Sequence, residues 1–355
     1  MLKSNINLSG KTVLVTGAAG FIGAGLITAL LNTQDIYIVG VDSLNDYYDV
    51  SLKNHRLAEI SRIAEQSGAK WTFIRGNISN EEFIRRIFDE YKFDIVVNLA
   101  AQAGVRYSID HPDAYIESNI IGFYRILEAC RHYPVEHLVY ASSSSVYGEN
   151  KKIPYSTEDK TDCPVSLYAA TKKSNELLAY SYSKLYDIPS TGLRFFTVYG
   201  PAGRPDMAYF KFTNALIKGE KIKIFNYGDC RRDFTYIDDI VEGISRIMIC
   251  APEKKSGEDG LPVPPCKVYN IGGGRPQNLL DFVNILSREL IRAGVLPSDF
   301  DIKSYTELVP MQAGDVPITF ADTTRLEEDF GFKPKTTLDE GLRCFANWYK
   351  KFYKI

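Results

Sequence analysis

Histidine and tryptophan are scarce, four and two in 355 residues. His132 and His137 stand on either side of Pro134 and share no helical face, so no histidine metal centre and no metal is expected. The six cysteines (Cys130, Cys163, Cys230, Cys250, Cys266, Cys344) are scattered and form no CxxC, which excludes a zinc ribbon and reads as reduced thiols of a cytoplasmic protein. No uncharged apolar run approaches the roughly 18 residues that span a bilayer. MLKSNINLSGKTVLVTG has no apolar h-region before its first strand, so a secretory leader is not expected. Charge of one sign is also missing: 42 Lys+Arg against 44 Asp+Glu leave −2, with no bulk drive toward nucleic acid or anionic lipid.

What is present is an ordinary globular composition, 45% hydrophobic, and length for one large domain or two moderate ones at about 150 residues each. Strands are expected at 11–17, 35–42, 71–77, 94–100, 137–142 and 191–196. Helices are expected at 21–32, from a capping box at Ser79-Asn80-Glu81-Glu82 to about Tyr91, at 113–132 and at 166–186. Continuous apolar strands alternating with helices argue for a parallel sheet covered on both faces. After Phe196 the pattern loosens into the loop GPAGRPDMA, a short helix, the strand KIKIFNYG, a helix over about 238–250, an exposed proline-rich loop and the strand VYNIGGG. A terminal helix at 338–352 turns Leu342, Phe345, Trp348 and Tyr349 inward. The fold class is α/β: a Rossmann-type doubly wound parallel sheet with a smaller, mixed α/β substrate-binding part.

Gly17-Ala18-Ala19-Gly20-Phe21-Ile22-Gly23 sits where a strand ends and a helix begins. Glycine there permits a tight turn, close approach of backbone to pyrophosphate and tight helix–strand packing, with helix-start amides facing the phosphates. A plain βα turn that binds nothing would look similar. Asp42 changes the balance: it ends the second strand 19 positions after Gly23, where a carboxylate accepts the ribose hydroxyls of adenosine and repels a 2′-phosphate, favouring NAD over NADP.

Tyr168 and Lys172 are four apart on one face of a predicted helix. A phenol of ordinary pKa about 10 is a poor base at neutral pH, and a nearby Lys lowers it by favouring phenolate. Tyr and Lys at this spacing are by themselves a common coincidence. Ser143-Ser144-Ser145-Val146-Tyr147-Gly148, however, follows a strand directly and puts small hydroxyls at a strand C-terminus, the edge where open α/β sheets bind ligands.

With these pieces the chain resembles the extended short-chain dehydrogenase/reductases, and among them the nucleotide-sugar epimerases. The resemblance runs through TGAAGFIG, NLAAQAGVRYS, SNIIGFYRILEAC, YASSSSVYG, YAATKKSNE, LRFFTVYGP and GDCRRDFTYIDD. GRPDMA, MQAGDVPITFAD and the tetraserine run look most like UDP-glucuronate 4-epimerases. The resemblance implies NAD as cofactor and a UDP-sugar as substrate. It implies Tyr168 as the acid/base at the sugar 4-hydroxyl, Lys172 on the nicotinamide ribose and lowering the Tyr168 pKa, and Ser143 bonding O4. It puts Asn77 and Ile78 near adenine, Asn77 standing where many relatives carry Asp, and Leu99, Ala100 and Ala101 along the cofactor. Arg232 corresponds to the diphosphate-binding arginine. Residues 1–195 with about 234–273 are expected to bind NAD, and about 196–233 with 274–355 the nucleotide sugar. A homodimer through the helices at 113–132 and 166–186 is also implied.

The implied reaction is reversible C4 epimerisation of UDP-glucuronate to UDP-galacturonate through a 4-keto sugar. Such a sugar is a β-keto acid, which loses CO₂ when its C–CO₂ bond aligns with the carbonyl π system. An epimerase must hold the carboxylate out of that alignment. Arg204 as a bidentate partner, with Thr197, Ser144 and Ser145 as hydroxyl donors, is the expected clamp; a loop-anchoring salt bridge is the alternative for Arg204. The rival functions are a UDP-glucose or UDP-N-acetylglucosamine 4-epimerase and a noncatalytic NAD-binding sensor. Dehydratases and decarboxylases place an acid within the segment matched here by 143–145, which has none.

Overall fold

The computed structural model describes residues 1–33, 35–257, 259–311 and 316–355; residues 312–315 of the MQAGDVPITFAD segment lie outside the described residues. Short β-branched runs form β1 (Thr12–Thr16), β2 (Tyr37–Asp42), β3 (Lys70–Arg75), β4 (Ile95–Asn98), β5 (His137–Ser143), β6 (Ser190–Phe195) and β7 (Cys266–Ile271). All seven pair in parallel in the order β7-β6-β5-β4-β1-β2-β3. The chain winds outward from β1 through β3, then restarts at β4 on the other side. The strand C-termini of β1 and β4 therefore open a crevice, the place where such sheets bind ligands.

Helices cover both faces, as expected for strands apolar on both sides. Val13 and Val15 point into a cluster with Leu26, Ile27 and Leu30 of α1 (Phe21–Thr33), while Leu14 between them points into the opposite cluster. That opposite face is built on Ile84, Ile87 and Phe88 of α3 (Glu81–Tyr91), Phe123, Ile126 and Leu127 of α4 (Gly122–His132), and Ala179 of α5 (Leu167–Tyr186). α2 (Val50–Ser67) lies between β2 and β3. α6 (Ala208–Ile217), α8 (Leu279–Ala293) and α10 (Leu338–Tyr353) form a smaller part, with α10 packed on α8, whereas α7 (Ile237–Met248) packs on α1 beneath the sheet and α9 (Thr324–Phe330) packs on β7. One apolar cluster runs from Val13 through Ile240 to Phe282 and Phe345, so the smaller part shares its core with the sheet.

Several local expectations change. The helix expected at 113–132 is instead a turn of α-helix (Pro112–Tyr115), a π turn (Ile116–Ile121) and α4. The cap of α3 is Asn80, whose Oδ1 accepts from Phe83 N at 2.9 Å; Ser79 bonds Glu117 instead. KIKIFNYG is a strand only over Ile222–Ile224, because Asn226 and Tyr227 turn the chain at φ of +51°. The proline-rich loop is exposed but carries a short ladder, Lys255–Ser256 against Pro262–Val263. Three helices longer than one turn, α2, α8 and α9, were not anticipated. α2 hides its period because Lys53 and Arg56 lie on its buried face; α8 has a plain period in Phe282, Val283, Leu286 and Leu290. Among the described residues no helix is long and apolar enough to cross a membrane.

Candidate active site

The crevice begins at the glycine turn. Gly17 sits at φ +71°, and a Cβ there would lie 2.8 Å from Ala100 N; one on Gly23 would lie 2.2 Å from Gly17 O. These two positions need glycine so that the turn can press against the chain leaving β4 and α1 can start at once. No acid stands in the first turn of α1, so nothing there repels a phosphate from the helix-start amides. Asp42 accepts Ala19 N at 3.1 Å on Oδ2 and Leu44 N at 2.8 Å on Oδ1. This fixes its carboxylate beside the turn and leaves lone pairs free for further donors. Gly20, Phe21 and Ile22 line the same cavity, as do Asn77 and Ile78 past β3 and Leu99, Ala100 and Ala101 past β4.

Some of this wall was not read from the sequence. Asn45, Tyr47, Tyr48 and Lys53 line the cavity after Asp42. Lys53 Nζ donates to Asn45 O and Asn45 Oδ1, both at 2.7 Å, and stands 4.9 Å from the Tyr48 ring centroid. Burial lowers the Lys53 pKa and Asp42 opposes that shift. The available signal was the Tyr/Lys cluster that directly follows the strand-end carboxylate. Asn119 was also passed over. The π turn aims it at Gln102, where its Oδ1 accepts Gln102 N at 2.8 Å and its Nδ2 donates to Gln102 O at 3.0 Å and to Thr171 Oγ1 at 3.0 Å. It pins the chain leaving β4 to α5.

Tyr168 lies in the first turn of α5, which Ser166 caps by accepting Ala169 N at 3.1 Å. Ser143 ends β5, and Tyr168, Lys172 and Ser143 all line the cavity that holds the glycine turn. Burial raises the Tyr168 pKa; a hydrogen bond with Ser143 and the charge of Arg204 pull it back down. Lys172 lines the same cavity and is bonded to the end of β5. Its Nζ donates to Ala141 O at 2.9 Å, and burial brings its pKa down to about 8. Ser143 and Arg204 are the groups that favour the phenolate here.

The expected substrate contacts divide. Ser143 and Arg204 line the cavity; Ser144, Ser145, Thr197 and Arg232 are not among its lining residues. Ser145 touches it at one remove, through bonds of 3.1 and 3.2 Å to Ser143 Oγ. Thr197 opens the strand Thr197–Tyr199, from which its neighbour Val198 reaches the cavity. Arg232 Nη1 donates to Arg231 O and Pro317 O at 3.1 and 3.2 Å. Arg204 presents no open two-toothed edge: its Nε donates to Asp206 Oδ1 at 3.0 Å and its Nη2 bonds Asp206 Oδ2. Tyr47 donates to the same Oδ2 at 3.1 Å. Burial raises the Asp206 pKa, but Arg204 and Tyr47 outweigh it and keep the carboxyl below its usual value.

Residues 13–272 match the family model described as the NAD dependent epimerase/dehydratase family. The chain belongs to the NAD dependent epimerase/dehydratase family. It is similar to Protein CapI of Staphylococcus aureus, 49% identical over 96% of this chain and 99% of that protein. It is also similar to UDP-glucuronate 4-epimerase 4 of Arabidopsis thaliana, at 46% identity over 97% of this chain and 76% of that one. The crystal structure of UDP-glucuronic acid 4-epimerase from Bacillus cereus, in complex with UDP-glucuronic acid and NAD, superposes with a TM-score of 0.82 at 31% identity, covering 96% of this chain and all (100%) of that one.

For this member of the epimerase/dehydratase family, the residues present fit a dinucleotide. Asp42 keeps acceptor capacity for ribose hydroxyls, the helix start is free of acids, and two cations, Lys53 and Lys172, line the cavity. A buried phenol with a hydroxyl partner at the same cavity can exchange a proton with a sugar alcohol.

Proposed function

We propose that the protein reversibly epimerises UDP-glucuronate to UDP-galacturonate at C4 through a 4-keto sugar. The observation that carries this is the convergence of Tyr168, Ser143 and Arg204 on the cavity that contains the glycine turn. The named relatives and the Bacillus cereus structure support the substrate. When bound, NAD supplies the hydride acceptor and donor for C4. Asp42 holds its adenosine ribose, the 17–23 turn its pyrophosphate, Asn77 and Ile78 its adenine, Leu99, Ala100 and Ala101 its flank, and Lys172 its nicotinamide ribose. Tyr168 takes the proton from the sugar 4-hydroxyl as phenolate and returns it after the ring has turned, while Ser143 holds the oxygen. Arg204 offers its remaining Nη1 corner to the sugar carboxylate, with Ser144, Ser145 and Thr197 as hydroxyl donors, and Arg232 serves the diphosphate. Residues 1–195 with about 234–273 form the NAD-binding part, and about 196–233 with 274–355 the nucleotide-sugar part. The chain works as a homodimer in the cytoplasm; its cysteines are all unpaired, two of them (Cys163, Cys344) exposed, which supports a reducing compartment.

The pairing of Arg204 with Asp206 favours one second reading, a 4-epimerase of neutral UDP-hexoses, because an occupied fork leaves less for a carboxylate. Proton NMR of UDP-glucuronate incubated with protein and NAD decides. New galacturonate signals are expected. Turnover of UDP-glucose or UDP-N-acetylglucosamine alone establishes the hexose reading, pentose with CO₂ establishes a decarboxylase, and NAD binding with no sugar turnover establishes a sensor.

A further inference from the structure

Arg56 is 4% exposed, and none of its hydrogen-bond partners among the described residues is a carboxylate. A buried guanidinium is tolerable only when acceptors, charged or neutral, satisfy its N–H groups. Here Nη1 donates to Ala19 O at 2.9 Å and to Tyr48 Oη at 2.7 Å, Nε and Nη2 donate to Ala202 O at 2.9 and 2.7 Å, and Nη2 donates to Gly203 O at 3.0 Å. Ala19 is the middle of the glycine turn, and Asp42 already holds its N–H. Ala202 and Gly203 immediately precede Arg204. The loop they form is not at rest by itself: Ala202 sits at φ +53°, a left-handed conformation costly for a residue with a Cβ. A fork that takes two successive carbonyls holds it there. The same 43–67 segment reaches this loop a second time, where Tyr47 bonds Asp206, the partner of Arg204.

We propose that Arg56 and Tyr47 are positioning residues that lock the 200–207 loop to the cofactor turn, so that Arg204 meets the sugar carboxylate in a fixed geometry before C4 is oxidised. This rests on the uronate reading above. A carboxylate left unheld rotates into alignment with the 4-keto group. The C5–C6 bond then breaks, CO₂ leaves, its electron pair enters the C4–C5 enolate, and C5 takes a proton. The hydride removed from C4 stays on the cofactor, so the balance is UDP-glucuronate + NAD⁺ → UDP-4-ketopentose + CO₂ + NADH. Lysine at position 56 keeps the charge but cannot span Ala19, Ala202 and Gly203 with one ammonium.

The experiment measures product partition, UDP-4-ketopentose (the pentose share) against UDP-galacturonate, with NADH absorbance, KM, kcat and Tm, for the full chain, Arg56→Lys and Tyr47→Phe. Both variants are expected to raise the pentose share and the KM for UDP-glucuronate about tenfold or more. Tyr47→Phe keeps the ring packed on Tyr48 and Tyr107 and removes only the hydroxyl bonded to Asp206, so the product partition, and not NAD affinity, is the reading that decides. Loss of stability alone lowers kcat with the folded fraction and cannot move the partition; that result overturns the proposal, as do two folded variants with wild-type partition and KM. Should Arg56→Lys fail to fold, Tyr47→Phe decides by the same criteria. A wild-type chain that makes no galacturonate overturns the uronate reading and this proposal together, whereas normal wild-type conversion with unaffected variants overturns this proposal alone.

Discussion

Tyr168 is a poor base made usable by two neighbours. Its burial works against ionisation, and Ser143 and Arg204 work for it. Ser143→Ala removes one of these, so the Tyr168 pKa rises further. Because the phenolate accepts the proton, activity increases with pH through that pKa, and the rising limb of kcat/KM moves to higher pH in the variant. Turnover at neutral pH is expected to fall roughly ten- to a hundredfold, measured as a pH–rate profile with UDP-glucuronate. An unmoved limb would show that Ser143 does not tune the phenol. Lys172 shows that spacing gives a face and not a hydrogen-bond partner. Four residues along a helix put it on the Tyr168 face, but its reach carries the ammonium to Ala141 O.

β5 delivers Ser143 from a strand that is tied down at both ends. At its exit, Ser142 Oγ donates to Glu176 Oε1 at 2.7 Å, and Arg194 of β6 closes on both Glu176 oxygens at 2.8 Å. At its start, His137 is fully buried, its Nδ1–H donating to Met248 O at 3.1 Å while Nε2 accepts from Thr191 Oγ1 at 2.8 Å. Burial brings the His137 pKa from 6.5 down to about 4. The unfolded chain therefore binds this proton more readily than the folded one, so stability rises with pH across the window between those two values. It is full above about pH 7 and declines as pH falls from 6.5 toward 4, by on the order of 3 kcal/mol. Urea unfolding at pH 7 and pH 4.5 measures this, and His137→Gln is expected to flatten the difference; an equal slope in both proteins refutes it.

At the scale of the whole molecule, the outer surface of α5 exposes Leu177, Tyr180 and Leu185, and the π turn beside it exposes Ile116 and Ile121. Large apolar side chains grouped on adjacent helices support the homodimer of the proposal, since a two-fold contact buries one such patch against itself. Light scattering is expected to report twice the 40.0 kDa chain mass, and Leu177→Glu combined with Tyr180→Glu to halve it. A wild-type mass of 40.0 kDa disproves the dimer.

The glycine turn, Asp42 and the alternation of strands with helices were legible in the amino-acid order, because each follows from local rules: backbone freedom at glycine, a carboxylate at a strand end, and apolar periodicity. So was the placing of Tyr168 near a strand-end serine, which follows from parallel topology. The partners of the charged groups were not. Arg204 turns to Asp206, Lys172 to Ala141, and Arg56 to three carbonyls from two distant loops. Helix α2 itself was hidden because its inward cations look like solvent-facing ones until those carbonyls are known. Local pattern decides which element forms and which face it buries, while the acceptor that a long cationic side chain finds depends on segments that only the folded chain brings together.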